Sequence, residues 1–128
     1  MRPALIALSP FLSLALSACV TAQPPSDGLA YAALGETVYV DGPKVTPIAV
    51  IEDSRCPADV QCVWAGRVRI SARIHLGTGD TTQELTLGEP IPVADGSLEL
   101  RTVQPPKTTE AAIPPGDYRF GFNFMGGL

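Results

Sequence analysis

Between Arg67 and Leu76 the chain alternates strictly. Val68, Ile70, Ala72, Ile74 and Leu76 fall on one side, and Arg67, Arg69, Ser71, Arg73 and His75 on the other. A period of two places the apolar set on one face of a strand, whereas a helix would scatter it around its circumference. Gly77-Thr78-Gly79-Asp80 then turns the chain, and Thr81 to Leu87 returns with Leu85 and Leu87 inward, completing a β-hairpin. Shorter runs predict the other elements. Glu36 to Val40 reads as a strand ending at the turn Asp41-Gly42-Pro43. Val45 to Glu52 is another, whose Pro47 requires a sheet edge or an irregular start. Gly88-Glu89-Pro90 and Asp95-Gly96 break the pattern around a strand from Leu98 to Val103. Gln104 to Gly116 holds Pro105, Pro106, Pro114 and Pro115 and predicts a long loop, of a length that often carries function. Asp117 to Met125 is the last strand, with Tyr118, Phe120, Phe122 and Phe124 on one side as core. Tyr31 to Leu34 is too short to count.

About six short strands with Gly- and Pro-rich turns, and no helix from Val20 onwards, predict an all-β fold. It is a small β-sandwich or a partly open barrel with one short-range disulfide. Pro115-Gly116-Asp117-Tyr118 resembles the loop-to-strand junction of immunoglobulin-like sandwiches, which favours the sandwich. Trp64, just behind Cys62, is expected to pack in the core, because a tryptophan stacked near a disulfide recurs in such folds. The 128 residues suit one domain, and the 13 prolines and 12 glycines suit strands and turns rather than long helices. A net charge of −4 argues against nucleic acid held on a basic surface.

The N-terminus changes the picture. Arg2 precedes an uncharged run from Pro3 to Ala18 that is rich in leucine and shorter than the roughly 20 apolar residues a bilayer span needs. It ends Leu16-Ser17-Ala18-Cys19, which resembles the lipobox of bacterial lipoproteins: an aliphatic residue, two small residues and a cysteine. The resemblance implies that residues 1–18 are a signal peptide and that Cys19 is the acylated first residue of the mature chain. Two or more acyl chains hold a protein stably at a membrane where one does not. Val20, rather than aspartate, after the cysteine implies the outer membrane, facing the periplasm, if the source is Gram-negative. Residues 19–28 then read as a polar, Pro-containing lipidated tether and 29–128 as the all-β domain.

With Cys19 used for lipid, Cys56 and Cys62 remain as a close pair in an oxidising compartment, where a disulfide is expected. A metal site would need more ligands than the single His75 supplies, and the spacing is not Cys-x-x-Cys. The segment from Asp53-Ser54-Arg55-Cys56-Pro57 to Trp64-Ala65-Gly66 resembles a pattern in small secreted and lipid-anchored bacterial domains of unknown role. That resemblance implies no activity.

Candidate chemistry is sparse. The outward Arg67, Arg69, Arg73 and His75 form a basic stripe, read as cross-strand pairing with Glu84, Glu99 or Glu52 ahead of an anion or glycan-phosphate contact. Asp41, Glu52, Asp53 and Asp59 follow no calcium-loop spacing, and the serines sit in no nucleophile elbow. No catalytic residue, metal or cofactor is expected. The expected function is a non-catalytic, lipid-anchored envelope protein that binds or scaffolds an envelope protein or glycan near the membrane. The alternative is an inhibitor of a periplasmic lysozyme or protease that presents the bridged loop, with Arg55, Pro57, Asp59, Val60 and Trp64 as contacts. The anchor has a direct test. Mass spectrometry of membrane-purified protein is expected to find a fatty-acid adduct on Cys19, and Cys19→Ser to release the chain into the soluble fraction.

Overall fold

The alternation sorts the chain into two antiparallel sheets of four strands each. The computed structural model describes residues 27–127; the signal segment, Cys19 and the tether up to residue 26 lie outside the described residues. The strands are β1 (Ala30–Ala32), β2 (Val38–Tyr39), β3 (Lys44–Asp53), β4 (Val68–Leu76), β5 (Gly79–Thr86), β6 (Ile91–Val93), β7 (Gly96–Gln104) and β8 (Arg119–Met125). One sheet is the meander β2-β3-β4-β5, and the other runs β1-β8-β7-β6. Neither closes on itself, so the fold is an open sandwich rather than a barrel.

One core lies between the sheets. Val45, Val68, Ile70, Ala72, Ile74 and Leu85 face Ala32, Val93, Leu98, Leu100, Val103, Tyr118, Phe120, Phe122 and Phe124. The inward set predicted for β4 is buried, except that Leu76 at its end is only half-buried. The four aromatics are core as expected, with the Tyr118 and Phe120 rings stacked 5.6 Å apart. Fully burying side chains of this size contributes about 1.5–3 kcal/mol each.

The boundaries differ from the sequence reading where elements are short or irregular. β1 and β6 are three-residue strands that no periodicity reveals. The hairpin loop is only Gly77-Thr78, because Gly79 and Asp80 already pair with Leu76 and His75. Asp117 belongs to a short 3-10 turn, Pro115–Asp117, and not to β8. β3 carries two irregularities in its pairing with β4, around Ile48 and Ile51. Each is an extra residue that restores the alternation beyond it, so both isoleucines lie about half exposed, at 45% and 47%. Pro47 is buried within β3, yet β2 pairs only as far as Val45. That side of β3 is locally an edge, and the Pro47 carbonyl accepts instead from the Gly35 N–H at 2.7 Å.

Phe122 is fully buried in β8, opposite Ala30 on one side and Leu100 on the other. Phe122→Ala is expected to cost about 3–5 kcal/mol of unfolding free energy in urea. A loss below about 1 kcal/mol would show that the ring does not fill the centre of the core.

Candidate functional site

Where β3 ends, Asp53 turns inward instead of towards water. Arg55, two residues on, closes onto it through Nε and Nη2, each 2.9 Å from a carboxylate oxygen. The two side chains are only 8% and 16% exposed. A pair this dry is favourable only when its remaining hydrogen-bonding groups find partners. Tyr118 Oη donates to Asp53 Oδ2 at 2.8 Å, and Arg55 Nη1 donates to the Val103 carbonyl at 3.0 Å. Lys107 Nζ donates to the Asp53 carbonyl at 2.6 Å. The end of β3 is thereby joined to the end of β7 and the approach to β8, across the two sheets. The Arg55 guanidinium, helped by the Tyr118 hydroxyl and against the cost of burial, holds the Asp53 carboxyl down at about 2. Burial, with the Asp53 carboxylate beside it, pushes the Tyr118 hydroxyl up to about 12.

The bridged loop grows from this joint. Ser54 N–H donates to the Arg67 carbonyl at 2.8 Å and Cys56 N–H to the Ala65 carbonyl at 3.2 Å, so the ladder continues past the strands. Cys56 and Cys62 form the expected disulfide, with Cα atoms 5.8 Å apart. Closing so small a loop contributes about 2 kcal/mol on the chain-entropy account. Gly66 sits at φ +69, and a Cβ there would overlap the Ser54 carbonyl, so the return of the loop requires glycine. The long Pro-rich segment braces the outer side. Ala58 N–H donates to the Lys107 carbonyl at 2.8 Å, and Asp59 accepts from the Thr109 N–H at 3.1 Å and from its hydroxyl. These bonds lower the Asp59 carboxyl below the usual aspartate range.

The residues expected to make contacts separate into two groups. Arg55 is committed to Asp53, Pro57 is half-buried, and Asp59 is exposed but held by Thr109. Val60 and Trp64 face solvent. The expectation that Trp64 packs in the core is wrong: it is 83% exposed, beside Val63 at 91%. The bridge closes a loop outside the sheets rather than linking them, so a residue stacked behind it lies outside too. Val63 was missed, although a second apolar side chain next to Trp64 was visible in the sequence.

The solvent face of β3, β4 and β5 holds the basic stripe. Arg67 and Arg69 share Glu52, and Arg69 also reaches Glu84 at 2.7 Å. Glu99, expected as a third partner, lies on β7 in the other sheet and pairs with Arg101. His75 is partnered on both sides, with Nδ1 3.0 Å from Asp80 and Nε2 2.8 Å from Thr46 Oγ1. Thr46 Oγ1 is in turn 2.6 Å from Thr37 Oγ1. Neither threonine stood out in the sequence, because only the register of β3 against β4 brings them to His75. Carboxylate, imidazole and hydroxyl in this order activate nucleophiles in hydrolases. Here Asp80 is half exposed on an open sheet face, where solvent weakens the pair. Asp41, Glu52, Asp53 and Asp59 do not converge, and no group of metal-ligating side chains forms among the described residues.

Comparisons with protein-family models, with curated proteins and with solved structures give no match.

The Asp53 joint makes stability pH-dependent. A carboxyl that titrates at about 2 in the fold and at 3.8 when free contributes stability above about pH 4, and that contribution drains away as pH falls towards 2. The difference is worth about 2 kcal/mol. Asp53→Asn is expected to cost roughly 2–4 kcal/mol at neutral pH, because Arg55 is left buried without its carboxylate. It is also expected to flatten the fall in stability from about pH 4 to about pH 2. Urea unfolding of both proteins across that range checks the sign, and an unchanged slope in the variant would remove Asp53 as its source.

Proposed function

We propose that this is a lipid-anchored cell-envelope protein whose non-catalytic β-sandwich binds an envelope protein or glycan near the membrane surface, through the apex of the bridged loop. The observation that carries the reading is Trp64, held open to solvent beside Val63 on a braced loop. A tryptophan can bury about 150–250 Å² on contact, and residues of this type dominate binding energy where partners meet. A loop already ordered by a disulfide, a backbone ladder and Thr109 loses little further freedom on binding. The lipobox supplies the anchor, and localisation follows it: the cell envelope, at the outer membrane facing the periplasm if the source is Gram-negative.

The same braced loop supports a second reading, an inhibitor that inserts it into the cleft of a periplasmic lysozyme or protease. Both readings require Trp64. Pull-down from native envelopes with the full lipidated chain is expected to recover a partner that Trp64→Ala loses by tenfold or more, while the urea midpoint stays within error of the parent. Undiminished capture by Trp64→Ala would overturn both. Cys56→Ser separates them. An inhibitor loses potency well beyond the roughly 2 kcal/mol of stability that the bridge contributes, whereas a scaffold melts earlier and still binds when folded.

A further inference from the structure

At the end of the sandwich opposite the bridged loop, Thr37, Thr46, Ile48, Arg73 and His75 line an open cleft of about 390 Å³. Arg73 is exposed and, unlike Arg67 and Arg69 on the same face, makes no ion pair among the described residues. An unmatched guanidinium stands beside two hydroxyls and an imidazole that β3, β4 and the residue before β2 bring together. Ile48, displaced outward by its irregularity in β3, supplies an apolar wall that limits water on one side.

The hydrogen-bond directions follow from the chemistry of each group. The Asp80 carboxylate only accepts, so His75 Nδ1 carries the proton between them. Nε2 of the neutral ring then accepts from Thr46, and Thr46 accepts from Thr37. Each hydroxyl proton points inward along this chain. If the imidazole gains a proton, Nε2–H donates to Thr46 Oγ1; one proton stays between the two threonine oxygens, and the other is released towards the cleft. Asp80 from β5 stabilises the imidazolium. Lys44, in register with His75 on β3, and Arg73 on its own strand oppose it, and Asp95 lines the neighbouring cleft together with His75.

We infer that this cleft is a phosphate-binding site, in which Arg73 grips two phosphate oxygens, the Thr37–Thr46 pair donates its one outward hydroxyl proton to another, and binding takes up a proton on His75. Arginine's planar fork matches such an oxyanion, and the hydroxyl that turns outward adds a third contact. A phosphate also neutralises Arg73, which removes its opposition to the imidazolium. The site is independent of the bridged loop and lies along β4 from it.

His75 is the only histidine in the chain, so its ring C–H signals in proton NMR are unambiguous. The full lipidated chain in dodecylmaltoside micelles is titrated with inorganic phosphate at constant ionic strength. The expected result is a saturable displacement of both ring signals towards their low-pH positions, as proton uptake by the ring requires. Arg73→Gln is expected to weaken it by tenfold or more, and Thr37→Val by several-fold. Added phosphatidic acid that displaces the signals at lower concentration than inorganic phosphate identifies a lipid headgroup as the natural source, and an equal or weaker response identifies a soluble phosphate. The proposal is overturned if no saturable displacement occurs, if Arg73→Gln responds like the parent, if acetate acts as well as phosphate, or if the ring signals move away from their low-pH positions.

Discussion

The bidentate pair between Asp53 and Arg55 is the constraint from which one whole end of the molecule takes its shape. Two residues apart, the partners meet as soon as the chain turns out of β3. Alone, such a pair would favour water, since taking two charges out of solvent costs several kcal/mol per ion. It becomes a structural element because Tyr118, Val103 and Lys107 meet the remaining groups from far along the chain. A local contact thus turns into a joint between the sheets. It fixes the direction in which the chain leaves the sandwich, and the bridged loop inherits that direction.

Exposure of Trp64 is a consequence of the same bracing. A tryptophan on a slack loop would fold back onto its own surface and recover several kcal/mol of apolar burial. Here the ladder from Ser54 and Cys56 to Arg67 and Ala65, the disulfide, and the contacts of Ala58 and Asp59 with Lys107 and Thr109 hold the loop outward. The two longest irregular segments stabilise each other, so the Pro-rich stretch serves as a buttress for the bridged loop. Stability at this end maintains an apolar surface that the fold itself does not bury.

What was legible in the sequence follows the length and regularity of each element. β4 and β8 declare themselves because nine and seven residues of alternation outweigh any local exception. β3 is harder, since its extra residues Ile48 and Ile51 break the period and turn an alternating strand into a run of apolar letters. Three-residue strands such as β1 and β6 carry no period at all. The site was read less well. The disulfide followed from compartment and spacing, but its relation to the sheets did not, and the position of Trp64 depends on that relation. Arg55 was read as a contact because it adjoins the bridged loop. Its burial is decided by Tyr118 and Val103, which only the fold brings near.

Charge along the outer face adds a last step. Exposed ion pairs contribute little to stability, often under 1 kcal/mol, so the glutamates beside Arg67 and Arg69 are not there chiefly to hold the sheet together. Their effect is to neutralise Arg67 and Arg69, the part of the stripe nearest the base of the bridged loop. Arg73, nearer the far end of β4, keeps its charge. Towards the bridged loop the arginines of the face are paired, and the other end offers an unmatched cation among hydroxyls. β4 spans nine residues, or roughly 30 Å at strand rise. The cleft and Trp64 lie towards opposite ends of that strand. On the proposed lipid anchor, whichever end turns towards the bilayer leaves the other pointing away from it, so the two surfaces suit two different ligands rather than a single extended interface.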